Sequence, residues 1–154
     1  MLTAYIDTGL LVKRYVTEPG SDELDAHLFD TQPALFISEL TRLELASSFA
    51  RKQSEGRIIK THRADLHQQA DEDVLSGLLK LVSLDSGVIR QGLFLMQSLE
   101  QALTTLDAIH LASALKQKVD IFMTDDNQLA RAAAEAGLQV WSTQKQLLEK
   151  SSCF

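Results

Sequence analysis

Asp7 ends the apolar run Leu2–Ile6, and Asp126 follows the run from Asp120 to Thr124, with Asp125 beside it. Asp107 stands just before Ala108-Ile109, after Thr104-Thr105, and Glu44 lies within a segment that begins behind Ser38. Carboxylates gathered in one pocket suit one kind of chemistry: they hold hard divalent cations such as magnesium or manganese, which prefer oxygen ligands. A cation held that way lowers the pKa of a water and neutralises charge on a phosphoryl group. Each acid also has a plainer reading. An Asp between a strand and a helix is commonly only a helix cap, and a Glu inside a helix is commonly solvated. The chain has 21 acidic residues, and position and composition alone do not single out these four.

Other side chains invite a role. Lys13 and Arg14 follow Asp7 closely and are candidates for substrate phosphates; the plainer reading is a solvated face or an ion pair. Arg42 is open to the same role or to a partner. His110 lies three residues after Asp107, on the same helix face, where it orients a water or a carboxylate, or simply packs. His62 and His67, five apart, are badly spaced for one helix face, and His27 has no evident company. Cys153 is the single cysteine. That excludes a disulfide framework and a cysteine-based zinc site, and fits a reducing, cytoplasmic setting. No glycine-rich phosphate loop is present, since Gly9, Gly20 and Gly56 stand alone.

The elements that position these residues follow from pattern. Leu2–Ile6 reads as a buried strand. Thr8–Tyr15 reads as a short helix stopped by Glu18-Pro19-Gly20, and Ser21 starts another through about Phe29. Leu35–Ile37 is a second strand. Ser38 caps the next helix, with Glu39 in its first turn and Leu40, Leu43, Ser47 and Ala50 on its buried stripe. A polar helix is expected over Thr61–Leu79, a strand over Leu81–Leu84, and a helix over Ser86–Leu99 in which Val88, Leu95 and Leu99 are core. Then come a helix from Ala108 to Lys116 opened by Asp107, a strand over Asp120–Thr124, and a helix over Asp126–Ala136 closed by Gly137. A strand over Leu138–Trp141 and a last helix over Thr143–Leu148 complete the chain. Alternating strands and helices predict an α/β fold with a parallel sheet covered on both faces. The length, 154 residues, suits one domain spanning 1–154, and 45% hydrophobic residues exclude disorder. The first residues lack the basic flank of a signal peptide, and no run reaches the ~18 apolar residues of a membrane span.

Four segments, in order and spacing, resemble the PIN-domain ribonucleases, and most closely the VapC-type toxins of toxin–antitoxin modules. They are Tyr5 to Tyr15, Ser38 to Glu44, Leu106 to Ala112, and Phe122 to Ala130. The resemblance implies a Rossmann-like α/β/α sandwich with a mainly parallel five-stranded sheet. It implies that Asp7, Glu44, Asp107 and Asp126 form a magnesium or manganese site, with Asp125 the second choice for the fourth acid. It implies an endoribonuclease leaving 5′-phosphate and 3′-hydroxyl ends, a homodimer, and inhibition by a cognate antitoxin that inserts a segment near the active site. One departure stands out. Many relatives carry Ser or Thr where this chain has Gly9, so a hydroxyl is missing unless Thr8 or Thr124 replaces it.

The formal net charge of −6 runs against phosphate binding. Cations held in an acidic pocket offset part of it, and an acidic surface suits a basic protein partner. Two other readings compete. An inactive PIN-like module would bind RNA or protein without cleaving. A phosphatase of the haloacid dehalogenase type would want a second Asp two residues after Asp7, where Gly9 stands, and a phospho-receiver domain would want paired acids after the first strand.

Overall fold

The computed structural model describes residues 1–144. Twelve elements span these residues, with one or two helices between successive strands. They are β1 (Thr3–Ile6), α1 (Thr8–Tyr15), α2 (Ser21–Thr31), β2 (Ala34–Ser38), α3 (Glu39–Ser54), α4 (Lys60–Leu75), β3 (Leu79–Val82), α5 (Ser86–Ser98), α6 (Thr105–Gln117), β4 (Ile121–Met123), α7 (Asn127–Glu135) and β5 (Gln139–Trp141). The five strands form one sheet in the order β3-β2-β1-β4-β5, and every pairing is parallel. β1 is central, with Tyr5 opposite Phe36 on one side and Phe122 on the other.

The strand repeat of two divides the core between the two faces. Ala4 and Ile6 point to one side, where they join Leu35, Ile37 and Met123 beneath Leu10, Leu11, Leu24, Leu45, Phe49 and Leu66 of α1 to α4. Tyr5 and Phe122 point to the other, against Val88 and Leu95 of α5 and the apolar faces of α6 and α7. The result is the expected α/β/α sandwich. No helix among the described residues is long and apolar enough to cross a membrane.

Several boundaries differ from the sequence expectation. α4 ends at Leu75 rather than Leu79, because Gly77 at φ +82° ends the helix and releases the chain. β3 therefore begins at Leu79, which pairs with Leu35, and Leu78 belongs to neither element. α6 begins at Thr105, with Thr104 as its cap, so Asp107 is the third helical residue and not the opening one. Asp126 is the cap of α7 and not its first residue. The buried face of α3 is Thr41, Leu45, Ser48, Phe49 and Lys52, whereas Leu43 is 71% exposed. Polar residues on the inner face rotated the true stripe away from the one that leucine spacing suggested. His27 does have company: its ring stacks on Trp141 with centroids 4.2 Å apart. The expected last helix lies, from residue 145 onward, outside the described residues, as does Cys153.

Candidate metal centre

β1 stops at Ile6 because the next residue turns the chain into α1. Asp7 makes that turn possible. Its Oδ1 accepts the Leu10 N–H at 2.9 Å, satisfying a donor that the first turn of α1 would otherwise leave free. Its own N–H donates to Met123 O at 3.1 Å, extending the β1–β4 ladder by one bond. Across the sheet, β4 ends the same way: Asp126 Oδ1 accepts the Leu129 N–H at 2.9 Å and caps α7. The plain cap reading is thus true of both residues, but it uses one oxygen of each.

Thr124 joins the two acids. Its hydroxyl donates to Asp7 Oδ2 at 2.5 Å and accepts the Asp126 N–H at 3.0 Å. β1 and β4 are neighbours in the sheet, so their carboxyl ends place Asp7 and Asp126 side by side, where an open parallel sheet forms its ligand cleft. Glu44 enters from α3. Its Oε1 accepts the Thr8 hydroxyl at 2.8 Å and pairs with His110 Nε2 at 2.7 Å. Asp107 enters from the first turn of α6, and its N–H donates to Thr104 Oγ1 at 3.2 Å, so Asp107 itself caps nothing.

Asp7, Glu44, Asp107 and Asp126 all line one cavity of about 280 Å³, together with Asp125, His110, Thr8, Gly9 and Leu10. Burial pushes the Asp7 carboxyl up to about 6 despite the hydrogen bonds from Thr124 and Leu10, and the charge of Asp126 adds to the rise. Asp107 is raised by burial and then by the charges of Asp126 and Glu44, which outweigh its hydrogen bond with Thr104. Glu44 moves the other way: burial raises it, but the bond and charge of His110 and the bond from Thr8 bring it below the ordinary carboxylate range.

Asp125 is differently employed. Lys13 Nζ pairs with it at 2.7 Å, and it accepts bonds from Ser142 Oγ, Thr143 N and Thr143 Oγ1. These outweigh burial and hold its carboxyl low. Each of its oxygens thus takes two bonds, whereas each oxygen of Asp7 takes one and Asp126 has one oxygen not bonded by any described residue. Lys13 is neutralised by the same contact. Arg14 points elsewhere: it lines a separate cavity of about 740 Å³ and bonds Asp73 at 3.3 Å.

Four oxygen donors that repel one another fit a hard divalent cation by their chemistry. As they stand, no group of three or more His, Cys, Asp or Glu among the described residues is arranged to hold one ion. Magnesium needs only one or two direct carboxylates and keeps several waters, so the donor set remains suitable. At Gly9 the nearest atom to an added Cβ is Asp7 Oδ1 at 4.0 Å, so nothing crowds out a side chain there. The hydroxyls of Thr8 and Thr124 lie on site carboxylates instead. Sequence reasoning missed Tyr5, whose phenol reaches His110 at 2.6 Å. The available signal was a phenol at the fully buried centre of a strand.

The PIN domain family model matches residues 4–135, and the chain belongs to the PIN-domain family. It is 31% identical over 142 residues to Ribonuclease VapC46 of Mycobacterium tuberculosis, a match that spans 91% of this chain and 97% of that protein. Among solved structures it is similar to FitAcB from Neisseria gonorrhoeae, with a TM-score of 0.66 and 15% identity over 92% of this chain and 98% of that one. It is also similar to a toxin–antitoxin complex from Klebsiella pneumoniae, with a TM-score of 0.62, 19% identity and the same coverage. A third likeness is VapBC2 from Rickettsia felis bound to a promoter DNA fragment, with a TM-score of 0.64 and 15% identity over 92% and 98%. At these identities the solved structures speak for the fold.

Proposed function

We infer that the chain is a divalent-metal-dependent endoribonuclease and the toxin of a toxin–antitoxin pair. The observation that carries the nuclease reading is the shared cavity of Asp7, Glu44, Asp107 and Asp126, in which burial and the charge of Asp126 raise Asp7 to about 6 even with His110 in the same cavity. The relative named Ribonuclease VapC46 supports RNA as the substrate, and the likeness to toxin–antitoxin complexes supports a protein antitoxin as the natural inhibitor.

Magnesium or manganese would be held by Asp7, Asp107 and Asp126, with Glu44 completing the pocket. The chemistry such a cation supplies when bound is a lowered pKa for the attacking water and neutralisation of charge on the phosphodiester. The chain's own part is positioning. Leu10 N–H and Thr124 fix both oxygens of Asp7. The capping bond turns Asp126 so that its second oxygen is left for the pocket. The N-terminal ends of α1 and α7 meet here, and their dipoles favour the anionic substrate. Lys13, paired with Asp125 at the cavity wall, is the remaining phosphate candidate; Arg14 is not, because it faces the other cavity.

A homodimer is supported by the outer stripe of α5, where Ile89, Leu93, Phe94 and Met96 are each 46–59% exposed. Apolar side chains contiguous on one helix face commonly mark an interface. The antitoxin would answer the acidic pocket with a basic segment.

The test is RNA cleavage with magnesium or manganese by protein purified free of antitoxin, set against Asp7→Asn and Asp107→Asn. Metal-dependent cleavage lost in both variants is the expected result. No cleavage together with no metal-induced stabilisation would favour the inactive binding module.

A further inference from the structure

Glu44 is held by a chain of hydrogen bonds that runs into the sheet. The Ser38 N–H donates to the Tyr5 phenol oxygen at 3.1 Å. That phenol lies 2.6 Å from His110 Nδ1, and His110 Nε2 lies 2.7 Å from Glu44 Oε1. Tyr5 is fully buried and His110 is 3% exposed, so both rings are fixed by packing: Tyr5 stacks on Phe122 and meets His110 edge-on.

With His110 neutral, the donors and acceptors admit one consistent order. A carboxylate only accepts, so Nε2 must carry the hydrogen that points to Glu44. In neutral imidazole this leaves a lone pair on Nδ1, which the phenol O–H fills. The phenol oxygen in turn accepts from Ser38. Reversing the tautomer would set two lone pairs against each other at 2.7 Å. With His110 and Thr8 both on Oε1, the second oxygen of Glu44, Oε2, is bonded by no described residue.

We propose that Tyr5 and His110 are positioning residues for Glu44: the buried phenol selects the Nε2–H tautomer of His110, and His110 turns Oε2 of Glu44 toward the metal pocket. The proposal rests on the metal-site reading given above. Partners of this kind behind a ligand typically change metal affinity by about 10–100-fold.

The experiment is manganese binding by calorimetry on the full chain, with thermal unfolding of each variant and nitrogen-15 NMR of the His110 ring in the metal-free protein. The expected result is an Nε2–H tautomer in wild type and manganese affinity weakened about tenfold in Tyr5→Phe and in His110→Leu. His110→Gln, whose amide N–H reaches where Nε2–H was, should restore affinity to within about threefold of wild type. A purely structural His110 would not produce that rescue without a matching recovery of stability. Wild-type affinity in a folded His110→Leu protein, or an Nδ1–H tautomer in wild type, overturns the proposal. Wild type that binds no manganese overturns the metal-site reading and the proposal with it. That failure is distinct, because variants and wild type would then be equally silent.

Discussion

Two groups of acids in this molecule live under opposite rules. Between α1 and α2, Glu18 is bonded by the buried Lys52 and by Arg57 at 3.2 Å, and on α4 Asp73 takes bonds from Arg14 and Tyr15. Burial raises Glu18, but its two cations more than reverse that and leave it low. In the pocket, Asp7 at the end of β1 and Asp107 in the first turn of α6 are raised, and part of each rise comes from another acid. The contrast repeats between adjacent residues: Asp125 is paired with Lys13, and Asp126 is not. The chain has 15 lysines and arginines, yet among the described residues their ion pairs reach one acid of the pocket, Asp125. The repulsion inside the pocket is therefore a retained property. A protein keeps such a cost where something positive is meant to enter.

The two groups of acids should differ most in cleavage. Asp7→Asn and Asp107→Asn should each lower metal-dependent RNA cleavage on the order of a hundredfold or more, measured as initial rates on a labelled RNA. Equal loss in a Glu18→Gln variant would mean that the paired acids serve catalysis too, and would erase the distinction.

On the paired side, Lys52→Met should destabilise the fold by about 2–3 kcal/mol in urea denaturation. That lies below the roughly 3–5 kcal/mol of a fully buried pair, because Glu18 keeps some contact with water. On the unpaired side the same kind of change should have the opposite sign. Asp7→Asn keeps the cap oxygen and removes the charge, so the metal-free protein should gain stability at neutral pH, by up to about 3 kcal/mol.

The pH dependence sharpens this further. The folded carboxyl of Asp7 binds its proton up to about 6, above its ordinary value of 3.8. Between those values the folded state holds more protons than the unfolded state, so stability falls as pH rises. The gain from Asp7→Asn should thus be absent near pH 4 and complete above pH 6, as read by melting temperature across that range. Manganese at a hundred times its dissociation constant should return about 2.7 kcal/mol to wild type, and much less to Asp7→Asn. The smallest effect belongs to Gly9→Ser. The position is helical and uncrowded, so stability should rise by roughly 0.5 kcal/mol at most, with cleavage little changed.

What could be read in the sequence depended on whether the signal was local. β1, Asp7 and α1 follow from an apolar run, a capping residue and a breaker within twenty residues, and their bounds agree with the fold but for Leu2, which precedes β1. The inner face of α3 did not follow, because Thr41, Ser48 and Lys52 are buried by tertiary partners while Leu43 is left outside. The end of α4 was written in Gly77, but the leucines after it mimicked a continuing helix. Asp7 and Asp126 are helix caps as well as pocket residues, so local pattern could not tell the two roles apart; it took the family likeness to select them. The direction of Arg14 is set by how α1 packs against α4, and a Tyr inside a strand reads as core until the histidine facing it is seen.

The parallel sheet also has a consequence in the order of synthesis. Its central strand is made first, but the neighbour that brings Asp126 to Asp7 is made more than a hundred residues later. The loop between Thr124 and Asp126 is then tied to Trp141, Ser142 and Thr143, since Thr124 N–H donates to Trp141 O and Asp125 accepts from the other two. A chain interrupted halfway carries Asp7 and Glu44 with nothing opposite them. Such a fragment should be inert, and activity should appear only once β4 and the residues after it have joined the sheet.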